Sequence, residues 1–598
     1  MTVRSVILAG ALGAVFVSAA TGADPILPLN HVQPGMIGEA RTVVSGTEIA
    51  RFPVTVIAVD QDRNLQTLGT LGPAILMRAS GPLMDQTGGI AAGMSGSPVY
   101  VTGADGVERV IGAISFGTGD EANLIGGITP IEHMLAVGKT VSAQAARRPA
   151  ARRPSRVVSD RGAARAVERR NTAARAFYPL QNWTVAGVSR SIHRPLSRSI
   201  GTNSSRRLVP VLRGPAALPQ APFVPGSTLS AQLVGGDITV AAVGTTTYVA
   251  DDGRIYGFGH PFFGTGASRL MLGGGWVHQI VPAPIANQSY KLADPGGVRG
   301  EITVDGTAGV VGRPGPAESI EVVATSFDKG SGRRSEIRST MSPDARFAPV
   351  FSDLIQRESA FRVRDGAFTP GTLSITVRLE SPKLKRPIIY RNRYASVADA
   401  IFDADPAVSR QVAILLRNSL REIPISKITI NQTLQDRILA ARILDATVVP
   451  RKVRRGQKAK LRLRVQPWRR KARTITVPFR VPRNARLGRR GVAVEPKTGG
   501  GFNRSLGDLD LALSYGLSSR GAAADTTLRR FERVVNKRRR GTRIDRIRAA
   551  IPKALPKRHN AVRVSFGSAV GPGRDVTVPY VIYDGSARSR VRVLKAAR

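Results

Sequence analysis

The 598-residue chain predicts a mainly β protein of several domains, with a helical segment and a C-terminal β-sandwich-like domain. Three observations predict it. Short apolar runs recur along the chain, bounded by Gly, Pro, Asn and Asp, the residues of tight turns. The clearest helical pattern is confined to Ser396 to Ile423, where Val408, Val412, Leu415, Leu416 and Leu420 lie close to one face. After Pro424 the strands alternate apolar with basic residues, which gives a sheet one buried and one solvated face.

Residues 1–23 read as a signal peptide: Arg4, an apolar run from Val6 to Ala20, and small residues suited to cleavage. The expected location is secreted or associated with the cell envelope, outside the cytoplasmic membrane, with an uncleaved anchor as the alternative. There are no cysteines, which excludes cysteine catalysis and thiolate metal sites. The formal charge of +46 attracts polyanions. No recognised nucleic-acid module is present, so a specific nucleic-acid partner is not expected.

Residues 27–140 carry strands VTVIAV (Val54 to Val59) and AILM (Ala74 to Met77), then a hairpin from Pro98 to Gly117 turning at Gly-Ala-Asp-Gly. Pro130 is placed to start a short helix. Residues 141–176 form an Arg-rich linker, in which Arg147 to Arg175 holds ten arginines against Asp160 and Glu168. Such a run is self-repelling and exposed, and reads also as a polyanion-binding or protease-sensitive arm. In residues 177–345 β character returns, most clearly from Thr239 to Gly266 around an Asp-Asp-Gly turn. Residues 346–424 are the mixed helical region. Residues 425–598 form the basic β-rich domain, with strands such as AKLRLRV and VTVPYVIY and a helical insertion from Thr527 to Ile551.

The chemistry centres on GGIAAGMSGSPVYV, Gly88 to Val101. Glycines around a serine allow the sharp turn that presents a hydroxyl, and the Gly93 and Ser95 amides can point together at an oxyanion. A purely structural turn has the same composition. A serine nucleophile needs a base. Of the six histidines, His260 in GFGHPF stands between Gly259 and Pro261, after the β-like RIYGF.

TGGIAAGMSGSPVY, followed by VIGAISFG and GGITPIEHML, resembles the nucleophile region of the sporulation stage IV B (SpoIVB-type) serine peptidase family, and YGFGHPFFGTG resembles its histidine segment. The likeness spans roughly Leu27 to Leu135 and Gly235 to Thr325. It implies a chymotrypsin-like double β-barrel peptidase, with permuted segment order because the serine segment comes first here. It also implies that Ser95 is the nucleophile, Ser97 a loop residue, His260 the general base, and Gly93 and Ser95 the oxyanion-hole donors. Where the family carries an aspartate before TGG, this chain has Ser80. Ser80, Asp85, Asp251 and Asp252 are therefore the candidate orienting groups for His260.

With no HExxH motif, neither a metal nor a cofactor is expected. The expected activity is that of an exported serine endopeptidase cutting protein substrates through an acyl-enzyme, with self-cleavage in the linker as a further expectation. The alternative is a catalytically inactive, peptidase-like envelope protein that binds anionic wall polymers or lipid.

Overall fold

The computed structural model describes residues 22–60, 73–117, 123–145, 178–282 with gaps at 181, 191, 194–195, 197–206 and 212–217, 289–364, 369–498 except 419, 502–503, 528–535, 543–567 except 556, and 571–596. The Arg147 to Arg175 linker and the predicted signal peptide, apart from residues 22 and 23, lie outside these. Of the described residues, 52% are strand and 14% helix, so the described part of the protein is mainly β. No described helix is long and apolar enough to cross a membrane.

The first sheet contains β1 (Ile37–Ser45), β2 (Glu48–Asp60), β3 (Ala74–Ala79), β4 (Ser97–Thr102), β5 (Glu108–Gly117) and β6 (Ile125–Pro130). They pair in the order β4-β1-β2-β3-β6-β5, and β4 pairs again with β5, so six antiparallel strands close on themselves. Phe52, Val54, Met77 and Ile114 fill the interior. A short strand, β7 (Tyr178–Pro179), adds to β5. The chain then enters the second sheet through β8 (Asn182–Ala186) and β9 (Arg207–Pro210).

That sheet holds a second closed ring, made of β10 (Thr228–Gly236), β11 (Thr239–Val249), β12 (Ile255–Gly257), β13 (Gly266–Val281), β14 (Tyr290–Gly306) and β15 (Gly309–Pro314). The pairing runs β10-β13-β14-β15-β12-β11 and returns to β10. Helix α1 (Pro82–Thr87) precedes the serine loop. Helix α2 (Ile131–Ala145) starts directly after Pro130 and continues past 141, where the linker was expected to begin. Its Ile131, Met134 and Val137 pack against Tyr248, Tyr256, Val304 and Val311 of the second ring, and Val43 meets Val243 and Val277 farther along. Each such fully buried side chain contributes about 1.5–3 kcal/mol, enough to make the seam between the rings a fixed joint.

The second sheet extends beyond its ring through β16 (Ile320–Asp328), β17 (Arg334–Met341), β18 (Gly371–Glu380), β19 (Ile388–Ser396) and β20 (Lys427–Gln435). Helices Ala348–Phe361 and Ala407–Arg417 pack in the same core. The region 346–424 thus holds two strands as well as helices, and its second helix begins only after Pro406. β20 pairs in parallel with β16, which moves the boundary expected at 424/425 past residue 435.

The C-terminal unit consists of β21 (Ala440–Val449), β22 (Lys452–Arg454), β23 (Lys458–Pro467), β24 (Arg473–Arg480), β25 (Gly488–Pro496), β26 (Phe502–Asn503), β27 (Ala561–Phe566), β28 (Gly573–Thr577), β29 (Val581–Asp584) and β30 (Ala587–Leu594). Apart from β26, which joins β19, these strands form a four-stranded and a five-stranded sheet around one apolar cluster. In β23 exposed Lys and Arg alternate with buried Ala, Leu and Val. The helical insertion does not belong to this sandwich: Phe531, Val535, Ile547 and Ile551 pack into the core of the second sheet.

Candidate active site

The serine loop, Gly88 to Gly96, is clasped by both rings. Within it the Met94 amide donates to Ala91 O and the Ser97 amide to Met94 O. The Gly96 amide reaches Ile114 O on β5 at 2.8 Å. From the second ring, the Thr245 amide donates to Ser95 O at 2.8 Å and Thr247 Oγ1 to Gly96 O at 2.8 Å. Gly93 and Gly96 both have φ of 93°, a region that costs an L side chain dearly. A Cβ on Gly96 would lie 2.0 Å from the Thr245 carbonyl oxygen, so only glycine lets the two backbones meet.

The histidine loop follows β12. Phe258 (φ 65°) and Gly259 (φ 66°) turn the chain sharply, and for a phenylalanine this is a strained conformation. Thr129 Oγ1, from the first ring, donates to Gly259 O at 2.6 Å. A Cβ on Gly259 would lie 2.0 Å from Ser115 Oγ. The His260 ring sits beside Phe116 of β5 (6.1 Å between centroids) and Phe258 (5.9 Å). Two motifs 165 residues apart in the chain thus converge on one stretch of β5.

His260 Nδ1 lies 2.9 Å from Pro261 O. A carbonyl can only accept, so Nδ1 carries the proton and the lone pair of the neutral ring is on Nε2, the tautomer a general base needs. A backbone carbonyl, not a side-chain acid, is the partner of Nδ1. The four candidate orienting groups are elsewhere: Ser80 and Asp85 are exposed, Asp251 accepts from the Ala23 amide, and Asp252 pairs with Arg254. None is hydrogen-bonded to His260.

An acid that the sequence reading missed supports the loop instead. Asp305, fully buried, accepts from the Phe262 and Phe263 amides at 2.7 Å each and from Thr265 Oγ1 at 3.2 Å. Its signal was VDGT, at the end of the second strand after GHPF, with nothing local to mark its partner.

Comparisons with protein-family models, curated proteins and solved structures find no match to this chain.

Ser95 and His260 are both 0% exposed. Ser95 Oγ has no hydrogen-bond partner among the described residues, so the serine and the histidine share a seam without being bonded. Of the two expected oxyanion donors, the Gly93 amide is engaged with a carbonyl, Leu180 O, at 3.0 Å. The Met94, Gly96 and Ser97 amides are used to shape the loop, and the Ser95 amide is not among these.

Beneath the loop runs Lys291, also missed. It is fully buried, and its stem would touch a Cβ on Gly93 at 3.1 Å. Its Nζ meets Thr42 Oγ1 of the first ring at 2.9 Å and Thr245 Oγ1 of the second at 3.3 Å. Thr245 Oγ1 in turn reaches Gly93 O at 3.3 Å. Burial pushes the Lys291 ammonium down from its ordinary 10.5 to about 7. Among the described residues no group of three or more His, Asp or Glu is arranged to hold a metal.

Proposed function

We propose that the protein is an exported serine endopeptidase of chymotrypsin-like double-barrel architecture with the segment order permuted. The observation that carries this reading is the convergence of the GMSGSP and GHPF loops, one from each six-stranded ring, on β5. In the reaction Ser95 Oγ attacks a peptide carbonyl and His260 Nε2 accepts the hydroxyl proton, then gives it to the leaving amine. The Gly93 amide, with that of Ser95 beside it, stabilises the oxyanion. Pro261 O holds the ring in the required tautomer. Export rests on the signal-like residues 1–23. The test is release of peptides from an unfolded protein substrate: the wild type cuts it, and Ser95→Ala and His260→Ala each lose at least about a thousandfold in rate. Equal hydrolysis by Ser95→Ala refutes the reading.

A second reading, an inactive scaffold that binds anionic envelope polymers or lipid, has its own supporting observation. A cleft of about 970 Å³ between the second sheet and the sandwich is lined by Arg437, Arg469, Arg470, Lys471 and Arg473 around Trp468, with one acid, Asp436, which pairs with Arg364. Among the described residues none of these cations is in an ion pair. On this reading the intact protein sediments with purified envelope, and the binding weakens steeply as salt rises. Salt-insensitive or absent binding counts against it.

A further inference from the structure

β5 pairs with β4 as far as Ser97 opposite Ile114. There the first ring's chain turns away into the serine loop and leaves the next stretch of that edge to another partner. The occupant is the chain itself. β7 runs antiparallel along it, Pro179 opposite Phe116 and Tyr178 opposite Gly117. The Leu180 amide then donates to Ser115 O at 3.1 Å, and the Leu180 carbonyl oxygen accepts from the Gly93 amide at 3.0 Å. The Leu180 side chain is 0% exposed, in the apolar cluster that also holds Ile90, Met94 and Ile114.

These are the requirements a peptide substrate places on an acyl-transfer site. Its backbone must be extended and added to a strand edge, a side chain must enter an apolar pocket, and the scissile carbonyl must sit on an oxyanion amide. One segment of this chain meets all three.

Resting on the peptidase reading, we propose that Tyr178–Leu180 is the site's own first substrate and that Leu180–Gln181 is the bond it cuts. Ser95 Oγ adds to the Leu180 carbonyl carbon while His260 takes the hydroxyl proton. The C–N bond to Gln181 breaks, the proton passes to the departing α-amine, and Leu180 is left as an ester on Ser95. Water hydrolyses that ester, giving the Leu180 carboxylate and restoring the serine. The cut falls beyond the Arg-rich linker, at the crossing from first ring to second, and the packed seam keeps the two parts together. Until the Leu180 end withdraws, it shields the site from other chains. The substrate class that follows is extended peptide with a leucine-sized apolar residue on the acyl side of the bond.

The test is intact-mass spectrometry and N-terminal sequencing of the full chain, as wild type, Ser95→Ala and Leu180→Asp, after incubation at neutral pH. The wild type yields a fragment beginning at Gln181 and a partner ending at Leu180. Ser95→Ala stays whole, and Leu180→Asp is not cut at this bond. A fluorogenic peptide ending in Tyr-Pro-Leu is hydrolysed at least about tenfold faster than one ending in Tyr-Pro-Asp. Wild type that takes up a fluorophosphonate at Ser95 yet stays uncut and shows no leucine preference overturns this inference and leaves the peptidase reading standing. Wild type that is not cut, with no uptake of the reagent in either wild type or Leu180→Asp, removes both, and equal cutting in Ser95→Ala assigns the cut to another protease and overturns the inference.

Discussion

The seam between the two rings and the face of the C-terminal sandwich treat charge in opposite ways. At the seam, Lys291 and Asp305 are sealed away from water and bonded to hydroxyls and amides. On the sandwich, the charges of β23 stand in solvent on alternate residues while Leu461, Leu463 and Val465 do the packing. A buried polar group is expensive to leave without its partners, and an exposed one is individually almost neutral. The seam should therefore respond to single substitutions, and the sandwich only to many at once.

The contrast can be broken most forcefully at Gly96. Gly96→Ala drives a methyl into the Thr245 carbonyl and imposes a positive φ on alanine, so it should lower unfolding stability by more than about 3 kcal/mol; chemical denaturation reads this directly, and a loss below 1 kcal/mol would show that the rings are not clasped there. Asp305→Ala comes next. It strips the acceptor from the Phe262 and Phe263 amides, with an expected cost of about 2–4 kcal/mol and a fall in turnover larger than any change in KM, because the histidine loop loses its support.

Lys291→Met has a smaller effect with a diagnostic sign. The folded-state pKa near 7 lies below the ordinary 10.5, so the unfolded chain binds more protons between these values and stability rises with pH across that window, by about 1.4 kcal/mol per pH unit at most. Below pH 7 the wild type carries the whole cost of a buried charge. The variant should lose this slope and melt higher than the wild type at pH 6; melting curves at pH 6, 8 and 10 check it, and an unchanged slope would place the proton elsewhere. Smallest of all is Arg462→Ala on the open face of β23, expected within about 0.5 kcal/mol of wild type.

What the sequence revealed follows the same division. The serine loop was legible because its glycines and flanking strands are local, and Pro130 marked the start of α2 in the same way. β20 was legible as a strand but not as a member of the second sheet, since its alternation resembles that of the sandwich strands and period alone does not name a partner. Two strands went unnamed in the region read as mixed helical, because GTLSITVRLE was overshadowed by the apolar stripe that follows it. Within the site, Ser95 and His260 carried recognisable neighbours. Asp305, Lys291 and Leu180 did not: a buried carboxylate, a buried amine and a leucine have their roles only through contacts that span 40 to more than 240 residues. The orienting group was sought among acids, and a backbone carbonyl holds the ring, which no side-chain motif could announce.

The central claim, that Ser95 and His260 form one acyl-transfer site at the seam, is tested most directly by mapping the site of fluorophosphonate attachment on the intact protein by mass spectrometry. The account predicts a single adduct on Ser95 that is absent from Ser95→Ala and strongly reduced in His260→Ala. An adduct that persists in Ser95→Ala, or no adduct even in Leu180→Asp, where the covering segment is dislodged, would contradict it.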